Sequence, residues 1–254
     1  MVQNAELIMS PIIILVEPQM GENIGASARA MKNFGLVEMR IVSPRDGWPN
    51  SKADSMSVGA LDIIQNAKIY DNIVDAIEDI EFLYATTAVE RSINKNYVMA
   101  DILHSSYPIN QKVAIMFGRE NCGLTNAEIG YANMILSVRT DPNFSSLNIA
   151  HAVAVVAHEI FNNLCILSTP DNIKRGGDES HTNPQILATR GELEYFFEHL
   201  FSELDVHKFC KLPEKHHHMT QNIRNIFTRI DRLSKNELQT LRGIITSLTR
   251  RNNN

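Results

Sequence analysis

Cysteine is scarce in this chain: Cys122, Cys165 and Cys210 are an odd set with no CxxC spacing. That argues against a disulfide framework or a cysteine zinc site, and it fits a reducing, cytoplasmic setting. No apolar run reaches the roughly 18 residues that a membrane helix needs. The opening MVQNAELIMS has no basic stretch followed by an apolar core and cleavage site, so no membrane span and no leader are expected. Nucleotide fingerprints are also missing. In PQMGENIGASARAMKNFG, residues 18–35, Gly21 and Gly25 stand four apart and Lys32 comes too late, so both GxGxxG and the P-loop fail on spacing. A nicotinamide oxidoreductase is disfavoured accordingly. No GxSxG elbow marks a serine hydrolase. HEIFN at 158–162 lacks the second histidine of HExxH. His216, His217 and His218 are adjacent and cannot converge on one ion from a regular element, while His151 and His158 read as packed or interfacial. No metal is expected.

The formal charge of −5 hides an asymmetry. Residues 211–254 carry nine Lys/Arg against three acids, a local +6 on a body of −11. A basic end on an acidic body suits a polyanion-binding element, and equally a solvated helical face.

Runs of β-branched and apolar residues recur as IIILV (12–16), MRIV (39–42), FLYAT (82–86), VAIMF (113–117) and MILSV (134–138). Segments 24–34, 72–79 and 97–105 between them read as helical. Strands alternating with helices predict an α/β domain with a mainly parallel sheet covered on both faces. Thr125 with Glu128, Thr189 with Glu192 and Ser234 with Glu237 have capping-box spacing. From Leu147 the run LNIAHAVAVVAHEIFNNLCIL is apolar nearly all round, which predicts a long buried helix with Ser145 or Ser146 at its start. The layout is a domain over 1–167, a polar linker at 168–188 and a small helical module over 189–254. In that module a helix over about 220–233 is expected. Arg224, Arg229, Arg232 and Lys235 would lie within roughly 140° of arc opposite its apolar face.

Three stretches carry candidate chemistry. The first offers Asn23 as a helix N-cap, Arg29 as a charged fork suited to phosphate, and small residues at 25–28 that let another backbone approach. In the second, VAIMFGRENCGLTNAEIG, a turn follows the carboxyl end of a buried strand, where open α/β sheets bind ligands. The third runs from MILSV through Ser145, Ser146, Leu147 and Asn148 into the long helix. Taken singly, the first and third read better as ordinary structure, and the second reads equally well as a ligand loop or a glycine turn.

In combination, N-x(5)-R, FGREN-x-GL and SLN-x-A-x-A-V resemble the SpoU branch of the SPOUT methyltransferases over about residues 10–165. The opening VEPQMGENIGASARAMKNFGL and TTAVERS at 86–92 look most like its TrmJ group, tRNA 2′-O-methyltransferases acting on cytidine or uridine 32 of the anticodon loop. Val89 departs from an arginine common in relatives. The resemblance implies a deep trefoil knot at the carboxyl end of the sheet, S-adenosylmethionine as cofactor, and a homodimer whose subunits complete each other's sites. It implies a cofactor pocket of Thr86, Thr87, Ala88, Gly118, Arg119, Glu120, Ile135, Leu136, Val138, Ser146, Leu147 and Asn148. It places Asn23, Arg29, Glu120 and Ser146 at the catalytic positions, with Glu120 orienting Arg29 or Asn23. RNA contacts would come from Arg29, Arg91 and the basic residues 224, 229, 232 and 235. Ribosomal RNA, another tRNA position, and a catalytically silent knotted RNA-binding protein are the alternatives.

Overall fold

The computed structural model describes residues 10–88, 95–105, 107–108, 110–167, 186–210, 213–230 and 233–250. Seven strands form one sheet: β1 Ile12–Val16, β2 Met39–Val42, β3 Lys68–Tyr70, β4 Phe82–Thr86, β5 Asn96–Met99, β6 Val113–Phe117 and β7 Met134–Ser137. Their order is β3-β2-β1-β6-β4-β7-β5, and every pairing is parallel. β7 therefore enters between β4 and β5, both of which precede it in the chain.

Side chains two apart along the strands divide the core into two layers. Ile13, Leu15, Tyr84, Ile115, Phe117 and Leu136 lie in the layer that includes Ile24 and Met31 of helix α1 (Gly21–Asn33) and Val153 and Val156 of helix α6 (Ile149–Leu167). Ile12, Ile14, Val16, Leu83, Ala85, Met116 and Ile135 face the other way, with helices α4 (Ile73–Ile77) and α5 (Asn126–Gly130). Each fully buried Ile or Leu of this kind contributes about 2 kcal/mol through burial. Two short helices, α2 (Ser51–Met56) and α3 (Leu61–Gln65), complete the first layer. Gly25 of α1 sits where a Cβ would lie 2.4 Å from the Ala53 carbonyl oxygen, so α1 and α2 approach at a distance that admits only glycine.

Four strand runs fall where the sequence places them, and MILSV is shortened by one residue to β7. The helical reading of 97–105 is corrected: this stretch holds β5 and then a 3-10 segment, Ala100–Ser105. α6 is also less buried than its composition suggests. His151, Val155, His158, Phe161 and Asn162 form an exposed stripe at helical spacing, because Ala and Val cover the core from only one side.

The C-terminal module consists of α7 (Arg190–Val206), α8 (Pro213–Thr228) and α9 (Lys235–Arg250) around Phe196, Phe197, Leu193 and Leu238. Capping boxes at Thr125–Glu128 and Thr189–Glu192 are present, and Ser234 and Glu237 cap α9 in the same way. Residues 168–185 of the proposed linker lie outside the described residues. Ala188 does not behave as linker: its amide donates to the Leu233 carbonyl at 2.8 Å. The module packs against the sheet domain. The Arg190 amide donates to the Ile80 carbonyl at 2.7 Å, and the ammonium of Lys95, 7% exposed, donates to Gly130 O, Ala132 O and Thr228 Oγ1 at 3.2, 2.5 and 2.9 Å. Burial, followed by the charges of Arg190, Arg229 and Arg224, pushes the Lys95 pKa down to about 7.

Candidate active site

The carboxyl ends of β6, β4 and β7 are consecutive across the middle of the sheet, and the loops leaving them enclose a cleft of about 250 Å³. Its walls are Thr86, Thr87 and Ala88 after β4, residues 118–124 after β6, Leu136 and Val138 at β7, and Ser145 to Leu147 before α6. Ile149, Ala152 and Val156 close the cleft from the inner face of α6. The β4 end is held from both sides. Thr86 Oγ1 donates to Met116 O at 2.8 Å, and the Thr87 amide donates to Leu136 O at 3.3 Å.

The loop after β6 is closely folded. A Cβ on Gly118 would lie 2.2 Å from the Gly123 carbonyl carbon and the Leu124 nitrogen. The Gly123 amide donates to Arg119 O at 2.8 Å, and Gly123 itself has a φ of +67°. A glycine is therefore required at each end of the turn for a different reason, close approach at one and a left-handed backbone at the other.

Glu120, Asn23 and Asn148 form a hydrogen-bonded chain at the cleft rim. Both Glu120 carboxylate oxygens accept from the Gln19 amide, at 3.2 and 2.9 Å. Asn23 Nδ2 donates to Glu120 Oε1 at 2.8 Å, and Asn148 Nδ2 donates to Asn23 Oδ1 at 3.0 Å. Asn148 Oδ1 accepts from the Ala150 amide at 2.9 Å, so Asn148 caps α6 where Ser145 or Ser146 was expected. Asn23 is likewise not a cap. α1 begins at Gly21 after Met20, which makes no side-chain capping bond, and Asn23 lies inside the first turn with its amide turned to Glu120.

Of the expected catalytic set, Asn23 and Glu120 are in contact and Ser146 lines the cleft. Arg29 stands apart, about 9 Å further along α1. It is exposed, and no hydrogen bond or ion pair to it occurs among the described residues, so Glu120 orients Asn23 and not Arg29. Of the expected cofactor residues, Ile135 does not line the cleft: it packs in the opposite core layer, one residue out of phase with Leu136. Asn148 sits at the rim as described. Arg119 lines the cleft, but its guanidinium is turned to Glu17 and Glu128. Those bonds, Glu128's foremost and then Glu17's, raise its pKa further above the ordinary arginine value. Burial alone would raise Glu128, yet Arg119 and the Thr125 amide hold its carboxyl below the usual value.

The basic set in the module is dispersed. α8 ends at Thr228, Lys235 opens α9, and Arg91 and Arg232 lie outside the described residues. Arg224 is bonded to Glu194 at 2.6 and 2.7 Å, with its guanidinium carbon 4.6 Å from the centre of the Phe197 ring, and Lys235 pairs with Glu192 at 2.7 Å. Arg224 is thus packed, Lys235 belongs to an exposed ion pair, Arg229 Nε donates to Asn225 O at 3.0 Å just past the helix end, and of the four residues only Arg224 lies on α8. Sequence reasoning missed Asn121, Cys122 and Thr140 in the cleft wall and Glu17 behind the turn, and it gave Glu128 only its capping role. Only the helical spacing of Ile149, Ala152 and Val156 signalled the α6 wall.

A parallel sheet of this strand order, with a closed glycine turn and an asparagine-capped helix at the carboxyl ends, defines a SPOUT-type fold. Residues 10–158 match the SpoU rRNA Methylase family, and the chain belongs to that family. Residues 191–254 match a second family, the tRNA methyltransferase TrmJ C-terminal domain. The tRNA (cytidine/uridine-2′-O-)-methyltransferase TrmJ of Citrobacter koseri is 34% identical over 246 residues, covering 94% of this chain and 96% of the relative. The tRNA (cytidine/uridine/adenosine-2′-O-)-methyltransferase TrmJ of Pseudomonas aeruginosa is 33% identical over 239 residues, covering 92% and 91%. The crystal structure of TrmJ from Z. mobilis superposes with a TM-score of 0.82 at 34% identity, covering 94% of this chain and 99% of that one.

Proposed function

We propose that this chain transfers a methyl group from S-adenosylmethionine to a ribose 2′-hydroxyl of tRNA, at cytidine or uridine 32 of the anticodon loop. The observation that carries the reading is the Asn148–Asn23–Glu120 chain at the rim of the cleft, with an unpaired Arg29 on the same helix as Asn23. Family membership and the names of the relatives support a 2′-hydroxyl in tRNA as acceptor.

The cleft suits the cofactor chemically. Leu124, Leu136, Val138, Ile149 and Ala152 offer apolar walls for an adenine, and the tight 118–124 turn offers backbone groups to its polar edge. When bound there, the sulfonium supplies an electrophilic methyl group. The chain's own residues align the acceptor. A guanidinium is a poor base, since in proteins it keeps its proton. Arg29 therefore grips the neighbouring RNA phosphate and stabilises the alkoxide charge that develops on the 2′-oxygen as its proton passes to phosphate or water. Glu120 and Asn148 fix Asn23 from opposite sides, and Ser146 contacts the ribose or orders the pocket.

Two subunits complete the site in this reading. The exposed stripe of α6, with Val155 between the two histidines and Phe161 beyond them, supports an association face on the helix that closes the cleft. The late insertion of β7 between β4 and β5 supports the knotted path. Arg91 and Arg232 join Arg29 as RNA contacts, and the described contacts of Arg224 point instead to packing.

The test is methyl transfer from labelled S-adenosylmethionine to total tRNA and, separately, to ribosomal RNA, followed by mapping of the modified ribose. Label on the 2′-oxygen of residue 32 is expected. Label confined to ribosomal RNA or to another tRNA position would replace the substrate assignment. RNA and cofactor binding without transfer would make the chain a silent RNA-binding protein.

A further inference from the structure

The GRE turn holds a side chain whose work lies outside the cleft. Arg119 Nε and Nη2 donate to the two Glu17 carboxylate oxygens at 2.8 and 2.5 Å, and Nη1 and Nη2 donate to those of Glu128 at 3.0 and 2.8 Å. One guanidinium thus forks onto two carboxylates from different elements. Glu17 directly follows β1 and has a φ of +46°, a left-handed backbone that a glutamate adopts only where its surroundings hold it there. Glu128 lies in the first turn of α5 and also closes that helix's cap by accepting from the Thr125 amide at 2.6 Å. Glu17 is 47% exposed and Glu128 12%, so solvent screens the first pair more and the second is the firmer anchor.

We propose that Glu17, Arg119 and Glu128 form a clamp that sets the shape of the 118–124 turn for cofactor binding, with Arg119 as a positioning residue and not a ligand. This rests on the reading of the cleft as the S-adenosylmethionine site. The stitching is double. Two residues past Glu17, the Gln19 amide is bonded to both oxygens of Glu120, the neighbour of Arg119. The segment 17–19 therefore holds 119–120 at both ends, and the backbone lining the cleft shares its support with the carboxylate that orients Asn23. Within the turn, Arg119 O accepts from the Gly123 amide while Gly118 packs directly on Gly123 and Leu124. A shift at Arg119 is passed straight to the cleft wall, since these contacts leave no slack. Lysine at 119 would keep the charge but, as a point donor, could not satisfy two forked carboxylates. Glu17 and Glu128 would then be left incompletely neutralised on either side of the turn.

The experiment is calorimetric titration of S-adenosylmethionine into the full-length wild type, Arg119→Lys and Glu17→Gln, with tRNA affinity measured alongside. Expected for Arg119→Lys is a cofactor Kd weaker by about tenfold or more, and for Glu17→Gln about threefold. In both variants the stoichiometry and tRNA affinity should match wild type. A merely structural role would do the reverse, lowering the stoichiometry as molecules unfold and leaving the Kd of the folded fraction unchanged. That pattern, or a Kd within about twofold of wild type in both variants, overturns the clamp. Glu17→Gln keeps the shape of a half-exposed side chain and decides the matter if Arg119→Lys does not fold. A wild type that takes up no S-adenosylmethionine overturns the cofactor reading itself, a result distinct from equal binding by all three proteins.

Discussion

Asn148 and Asn23 meet amide to amide, Nδ2 donating to Oδ1 at 3.0 Å, so the residue that caps α6 also fixes a side chain in the first turn of α1. The two roles separate in Asn148→Asp. Asparagine and aspartate cap helices about equally well, so the midpoint of thermal unfolding should hardly move. A carboxylate has no donor for Asn23 Oδ1, and an unheld Asn23 no longer presents its amide steadily to Glu120. Single-turnover methyl transfer at saturating cofactor should slow by about tenfold or more. An unchanged rate would show that this bond does not order the site.

Arg29 should separate activity from stability more sharply. It touches no described residue of its own chain through a hydrogen bond or ion pair, so Arg29→Lys and Arg29→Ala should each unfold within about 0.5 kcal/mol of wild type. Both should lose transfer by about a hundredfold, since a forked phosphate contact and its charge at the 2′-oxygen are lost or misshaped. Near-full activity in Arg29→Lys would exclude a bidentate grip.

Arg224 should behave in the opposite way. Arg224→Met strands Glu194 and removes a cation from Phe197, Phe201 and Tyr131, which should cost about 1–3 kcal/mol in denaturant unfolding. The slope of tRNA affinity against salt should stay at the wild-type value, because the lost charge neutralised a carboxylate and no phosphate. A slope shallower by about one would return Arg224 to the RNA interface.

Lys95 gives the junction of domain and module a pH dependence. Its folded pKa is about 7 against an ordinary 10.5, so between these values the unfolded chain binds the extra proton. Stability should then rise with pH across that window by up to about 1.4 kcal/mol per unit. Below about pH 7 the side chain is charged in both states, and the penalty of burying it is fully present. Unfolding wild type and Lys95→Met between pH 6 and pH 10 should show the gap moving in favour of wild type as pH rises. Parallel curves would mean that the lysine stays charged in place.

Much of the sheet was legible because its central strands are buried on both faces, which leaves uninterrupted apolar runs such as IIILV and VAIMF. β3 and β5 escaped notice because they are short edge strands with exposed positions, KIY and NYVM, and so carry no such run. Local chemistry was legible where both partners are close in sequence, as in the three caps. It was not where the partner is remote. Glu120 reaches Asn23, and Arg224 reaches Glu194, only after folding, and the sequence alone cannot tell an engaged arginine from a free one. Motif order brought out Asn23 and Glu120 but gave Asn23 the wrong post, because the helix begins three residues earlier, after Met20, which makes no side-chain capping bond.

The strand order also bears on synthesis. β5 lies at the edge of the sheet with β7 as its sheet neighbour, and β7 is translated well after it. While a ribosome is still making the intervening residues, Asn96–Met99 has no strand to pair with, and its backbone donors and acceptors are open to any other extended chain. The cleft wall built from β7 is missing over the same interval. A nascent chain thus carries an unpaired edge strand until Met134–Ser137 has emerged, and an incomplete cleft until the residues of α6 behind β7 have followed.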